Sequence, residues 1–384
     1  MSTTFEPGPA HRGAPETPAS ADRPNRRQRI PRGMAAELGG AAASSFALMW
    51  LIFAITDPGQ SAFGFFVCWL LGFFLIFAIV AWRLHGVLLM KDRLGTVAVW
   101  GGSFVALLPL VVIIIYVIIE GSQALFAAFP HFFTADMSQF SGQTPIGTAG
   151  MGAAIVGTVE QVALTTLFSV PIAVLAATYL NETRGAMANF VRTVVDSMTG
   201  TPSIIAGLFV YLFWVEPRGV NGKSGLAAAL ALTVLMLPFV TRSAEEVLTV
   251  VPGSLREAAL ALGAPQWKVV VKVVLPTART GLVTAVILGI ARTVGETAPV
   301  LLTTSASAHF NWNPFHGIQS NLPLEIYSLI VSPGTNSTKV AWGGAFVLVL
   351  VVLTLFTLAR ILGSSRTGHR SSPWRRLTRQ AAPS

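Results

Sequence analysis

The sequence holds a single cysteine, Cys68, in 384 residues. It lies inside an apolar run, so no intramolecular disulfide can staple the fold. Charge is scarce: 11% of residues are Asp, Glu, Lys or Arg, against 53% that are hydrophobic. That leaves too little polar surface for a water-soluble globule of this length. The six histidines, at 11, 85, 131, 309, 316 and 369, form no i,i+4 pair and have no carboxylate or thiol at ligand spacing, which argues against a metal centre or other cofactor. No G-x-S-x-G occurs, so there is no nucleophile elbow. Gly222-Lys223-Ser224 ends like a phosphate-binding loop, but the first glycine of that motif falls on Pro217 and no strand precedes it. The stretch reads as a turn between two apolar spans. The chain is therefore no enzyme, and any work it does is driven by a partner.

Long apolar runs are what it does have. On a window of about 19 residues, spans fall near 40–57, 62–82, 97–119, 153–180, 197–215, 225–241, 280–302 and 338–362, which makes the chain an all-α, eight-span polytopic membrane protein. The first two spans form a hairpin around Asp57-Pro58-Gly59. Residues 1–38, rich in Pro and Arg without an apolar run, read as a disordered basic leader. It is no signal peptide, because no small-residue cleavage site follows it. Residues 39–96 are then an accessory two-helix hairpin with its linker, 97–362 the transmembrane core, and 363–384 a basic tail.

The positions of the cations give the orientation. With the N-terminus inside, 22 of the 26 Lys and Arg lie on the cytoplasmic side, leaving Arg218, Lys223 and Lys339 opposite and Arg292 within a span. This bias puts both termini and the loop 242–279 in the cytoplasm. It also explains the pI near 10.4 without a nucleic-acid partner. The loops Glu120–Gly152 and Ser305–Lys339 face outward, where they either receive a binding protein or cap the spans with interfacial aromatics.

The cytoplasmic loop 242–279 is unlike the others. Leu255–Leu262 predicts a short helix with Arg256 and Glu257 exposed and Leu255, Ala259 and Leu262 on the other face. Gly263-Ala264-Pro265 stops it, and a second helix from Gln266 to Val274 runs until Pro276 ends it. Glu257-Ala258-Ala259, three residues, Gly263, nine residues, Val273, one residue and Leu275-Pro276 resemble the EAA signature of inner-membrane permease subunits of ABC importers, with Val where Ile is usual. DSMTGTPSIIAGLFVY (196–211), ARTVGETAPVLLT (291–303) and NLPLEIYSLIVSP (321–333) narrow this to a likeness to the A-type permease of phosphate-specific importers.

That resemblance runs from about residue 132 to the end of the last span. It implies a type I ABC importer permease fold with a six-span core, to which the two extra N-terminal spans are accessory. It further implies a multi-pass protein of the cell inner membrane that forms half of a phosphate pathway. Its implied partners are a homologous second permease in a heterodimer, an ABC ATPase dimer, an extracytoplasmic phosphate-binding protein and the surrounding lipid. Arg256, Glu257, Ala258, Ala259, Gly263 and Pro276 become the ATPase-coupling residues. Importers of sulfate or molybdate are the alternative within the class; an ATPase-independent secondary transporter predicts inverted repeats, which the sequence lacks.

Polar residues inside the spans mark the candidate pathway. In Thr199-Gly200-Thr201-Pro202-Ser203, Pro202 frees a carbonyl that Gly200 and the hydroxyls can re-satisfy, so a broken or kinked helix is expected with Thr201 and Ser203 at the break. At about 100° per residue, Gly281, Ala285, Gly289, Arg292 and Glu296 share a face about 80° wide. Counted from Arg279 at about 1.5 Å per residue, Arg292 is about 20 Å deep, near the midplane. Glu296, one turn on, is its expected partner. The pair either locks a helix interface or presents Arg292 to a passing anion.

Overall fold

Helices form wherever the apolar runs predict them, and the breaks fall at glycine and proline. The computed structural model describes residues 32–56 and 62–363, and no strand occurs among them. The expected turn at Asp57-Pro58-Gly59, residues 1–31 of the leader and the tail beyond Gly363 lie outside the described residues. The chain divides into two compact units, one up to Leu110 and one from Val111.

In the first unit, α1 (Arg32–Thr56) begins within the stretch assigned to the leader. The helical run α2 (Ala62–Ala127) is interrupted at Gly86, whose φ of 80° and ψ of 172° are not helical. Phe77 and Val97 would lie about 30 Å apart on a straight helix, yet both are buried in one cluster with Ala41. The run therefore folds back at Gly86, as expected from separate spans at 62–82 and 97–119. Glu37 ties the unit together at this end, accepting from Arg93 at 2.5 Å and lying 2.9 Å from the His85 ring.

The second unit is organised on α7 (Gly225–Thr249). Around it pack α4 (Gly152–Glu182), α5 (Ala186–Thr199), α6 (Ser203–Val210), α10 (Leu275–Val294) and α11 (Ala298–Thr303). Such crowding is possible because the contact face of α7 is made of small residues: Ala227, Ala228, Ala229 and Ala231 are fully buried. Small residues of α10 match them, since a Cβ on Gly281 would fall 2.4 Å from Val247 and one on Gly289 2.5 Å from Val240. The remaining elements are α3 (His131–Thr134), α8 (Gly253–Ala261), α9 (Gln266–Val269), α12 (Leu322–Val331) and α13 (Thr335–Gly363).

Among the described residues six helical stretches are long and apolar enough to cross a membrane, and a bent pair adds a seventh. One of the six, Gly64–Ala127, contains both expected spans on either side of Gly86. The expected span 197–215, with its break at Thr201–Ser203, is that bent pair, Ala186–Thr199 and Ser203–Gly219, which meet at 105°. Gly200 and Pro202 sit in the bend, Gly200 at the C-cap of α5 and Pro202 at the N-cap position of α6.

Three further expectations are corrected. The span 280–302 stops at Val294 and resumes at Ala298, because Gly295 terminates the helix and Pro299, in the first turn of α11, needs no donor. Pro276 does not end a helix: a π-helical turn, Val270–Val274, leads straight into α10, where Pro276 occupies the first turn. The segment Ser305–Lys339, expected to face outward, is more than an interfacial cap, since α12 packs against α13 and α4 and buries Leu322, Leu324 and Glu325.

Candidate functional site

The segment between α7 and α10 is shorter than 242–279, because α7 continues to Thr249 and α10 with its lead-in begins early. α8 is held at its base by Val251, Val269 and Val274, which join Ala177, Ala244 and Leu248 in one buried cluster. Gly263 closes it with φ 80°: its N–H donates to Leu260 O at 2.9 Å and the Ala264 N–H to Ala259 O at 3.2 Å. A residue with a Cβ rarely adopts that φ, which explains glycine at this position.

The faces of α8 are the reverse of those expected for the leucines. Glu257 is exposed as expected, but so are Leu255 and Leu262, the latter 89% exposed. Arg256 turns inward, forming an ion pair with Glu182 Oε1 at 3.3 Å and donating to the Leu248 carbonyl at 3.2 Å. Its long stem can lie along apolar neighbours while the fork reaches acceptors. The result is an outward patch of Leu255, Leu260, Leu262 and Trp267 beside Glu257, all exposed. Ala258 is exposed and Ala259 packs against the buried cluster.

A chain of ion pairs fixes the helices behind α8. Arg242 donates through Nε to Asp196 Oδ1 at 2.7 Å and through Nη1 to Glu245 Oε2 at 2.6 Å; Arg192 reaches Glu245 Oε1 at 2.8 Å. Asp196 is thus the partner of Arg242. These residues lie 46 and 53 positions apart along the chain, so no local spacing announces the network.

The intramembrane candidates are distributed differently from expectation. Arg292, in the last turn of α10, is exposed, and its guanidinium carbon lies 5.3 Å from the Phe239 ring centroid. The expected ion pair with Glu296 does not form. Glu296 sits in the non-helical break, its backbone N–H donating to Thr293 O at 3.1 Å. Thr201 closes the bend, with its N–H on Met198 O at 3.1 Å and its hydroxyl on Ser197 O at 3.3 Å, while Ser203 opens α6. Among the described residues no hydrogen bond joins either to Arg292 or Glu296. The two broken segments nevertheless meet: a Cβ on Gly207 of α6 would fall 2.6 Å from Pro299 Cα in α11.

At the opposite end, Glu160 accepts from Gln319 Nε2 at 2.5 Å, and Gln161 and Asn321 continue the contact at 3.0 Å. Glu160 therefore clamps the segment before α12 onto α4. Among the described residues no group of three His, Cys, Asp or Glu is placed to hold a metal.

Residues 169–365 match the family model "Binding-protein-dependent transport system inner membrane component". The chain belongs to this family of permeases. Among its relatives, "Phosphate transport system permease protein PstA 1" of Mycobacterium tuberculosis is 38% identical over 288 residues, 74% of this permease and 91% of that protein. "Phosphate transport system permease protein PstA" of Pasteurella multocida is 40% identical over 214 residues, 55% of the permease and 75% of the relative. In fold, the permease resembles a chain of a bacterial alginate ABC transporter solved with its alginate-bound periplasmic protein, at a TM-score of 0.53 and 16% identity over 72% of this chain and 96% of that one. A second alginate importer structure gives a TM-score of 0.51 at 15% identity, covering 72% and 99%. The permease is a multi-pass inner-membrane transport component with the type I ABC importer architecture, and it is not an enzyme.

Proposed function

We propose that this permease forms half of the pathway of an ATP-driven inorganic phosphate importer. The observation that carries the reading is the 38% identity to a phosphate permease across 91% of that protein's length. The other half is a homologous second permease, an ATPase dimer docks on α8, and an extracytoplasmic binding protein delivers phosphate to the opposite face. The exposed apolar patch around Glu257 supports the docking, because such a patch beside one carboxylate suits burial against a partner. The bias of 22 of 26 cations to one side supports cytoplasmic termini and a cytoplasmic α8.

Arg292 is the group we assign to the anion. A cation near the bilayer midplane costs at least about 2.5–3.5 kcal/mol unless paired or hydrated, and among the described residues no carboxylate lies within ion-pair distance of it. Its fork of donors suits a tetrahedral oxyanion that has left bulk water. Glu296, Thr201 and Ser203, at the breaks of the two bent segments, line the same pathway. The test is uptake of radiolabelled phosphate by proteoliposomes holding the four-subunit complex and its binding protein. ATP-dependent phosphate uptake that excess sulfate or molybdate fails to compete is the expected result; uptake of those ions in preference to phosphate defeats the proposal.

A further inference from the structure

On the face that carries α8, a cleft of about 560 Å³ opens between the end of α4, the start of α5, α7 and α8. Arg184, Arg192 and Arg256 line it together with Asn181 and Asn189, and Glu245 is its one acidic wall residue. That carboxylate is already spent on both oxygens, Oε1 to Arg192 at 2.8 Å and Oε2 to Arg242 at 2.6 Å. Among the described residues Arg256 reaches one carboxylate, Glu182, at a long 3.3 Å, and it lines the cleft. Arg184 has no carboxylate within ion-pair distance among the described residues. α5 also starts here on Gly185 with no side-chain cap, which leaves first-turn backbone N–H groups for an anion.

We infer that this cleft is a second oxyanion site, which takes inorganic phosphate from the compartment that α8 faces and is separate from the pathway at Arg292. The ligand class follows from the donors that line the cleft: the Arg184 guanidinium, the Asn189 amide and the helix-start amides suit a group with several acceptor oxygens. A bound ion links Arg256 on α8 to Arg184 and Asn189 at the α4–α5 junction, and so restrains the coupling segment. Accumulated phosphate on that side then slows ATP hydrolysis by the complex. The ligand identity rests on the phosphate-import reading; the placement of the site does not.

The test uses the complete complex, without binding protein or ATP, in phosphatidylcholine nanodiscs, with radiolabelled inorganic phosphate as the probe. Saturable binding is expected, weakened about tenfold by Arg184→Gln through loss of one charge-assisted contact and less by Asn189→Leu, and this Arg184-dependent component persists in Arg292→Gln. Inhibition of ATP hydrolysis by added phosphate, followed through ADP release, should shift by the same factor in Arg184→Gln. Binding that Arg292→Gln abolishes and Arg184→Gln leaves intact would place the only site in the pathway and overturn the inference. Absence of saturable binding also overturns it, and cross-linking of Arg184→Cys to the ATPase would then identify a partner's carboxylate as the occupant. If binding occurs in phosphatidylcholine but disappears in phosphatidylglycerol, the natural occupant is a lipid headgroup, and the claim of regulation by free phosphate falls. Should the complex fail to import phosphate while Arg184-dependent binding persists, the transport reading fails and the site stands.

Discussion

Arg292 and Glu296 are four residues apart in sequence but are not one helical turn apart in space. α10 ends at Val294, and the Arg292 guanidinium lies over the Phe239 ring, its carbon 5.3 Å from the centroid. A structural role for the pair as mutual neutralisation is thereby removed. Arg292→Gln should insert and assemble normally but lose at least about tenfold in phosphate uptake, the scale of one charge-assisted contact. The exchange Arg292→Glu with Glu296→Arg should not recover it. Recovery of most uptake by the exchanged pair, measured in proteoliposomes at matched expression, would show that charge balance is all the site needs.

The α8 patch predicts separable effects on docking. Leu262→Asp and Glu257→Lys, both at exposed positions, should leave the permease folded and inserted while reducing copurification of the ATPase by about tenfold or more, a hot-spot-sized loss of about 1.4 kcal/mol or above. Undiminished association in both variants sinks the docking assignment.

Gly263 makes a conformational prediction. At its φ of 80°, a Cβ added here would meet nothing within 4 Å, so the cost of substitution is backbone strain and not collision. Gly263→Val should cost about 1–2 kcal/mol or more locally and uncouple ATP hydrolysis from uptake. Gly263→Asn should be milder, since Asn tolerates positive φ. Equal effects of the two would point to side-chain contact with the partner instead.

At the α7–α10 interface the expected effect is steric. A Cβ on Gly289 would fall 2.5 Å from Val240, so Gly289→Leu overpacks a buried seam and should destabilise the protein by about 1–3 kcal/mol. A lowered melting temperature in detergent checks this; an unchanged one means the helices can separate freely.

Orientation is tested by reporter fusion. A cytoplasm-dependent reporter placed after Gly263 should give signal and one after Trp312 should not. Signal from the Trp312 fusion reverses the assignment of sides for α8.

Much of the fold was legible because it follows from one-dimensional signals. Apolar runs locate the helices, and Gly200 with Pro202 and Gly263 each mark a break that the structure contains, while the fold-back at Gly86 falls between the expected spans 62–82 and 97–119. The small-residue face of α10 was equally readable from the spacing of Gly281, Ala285 and Gly289. Errors arose where a local rule met tertiary context. Pro276 was expected to stop a helix, but the wider turn at Val270–Val274 absorbs its missing donor. A helical wheel pairs Arg292 with Glu296 only if the helix runs past Gly295, where α10 has ended. The clamps Asp196–Arg242 and Glu160–Gln319 join residues 46 and 159 positions apart, and no periodicity encodes such pairs.

The unbroken run through Pro276 has a mechanical consequence. From Gln266 to Val294 the chain is one 29-residue helical stretch, about 42 Å from end to end. Trp267 stands at its exposed foot and Arg292 in its last turn, so the two behave as opposite ends of a stiff arm. Tilting that arm by about 10° carries one end by about 7 Å relative to the other, more than one helical turn. If an ATPase closes against the foot as proposed, its displacement reaches the proposed pathway as leverage, without a relay of side-chain rearrangements.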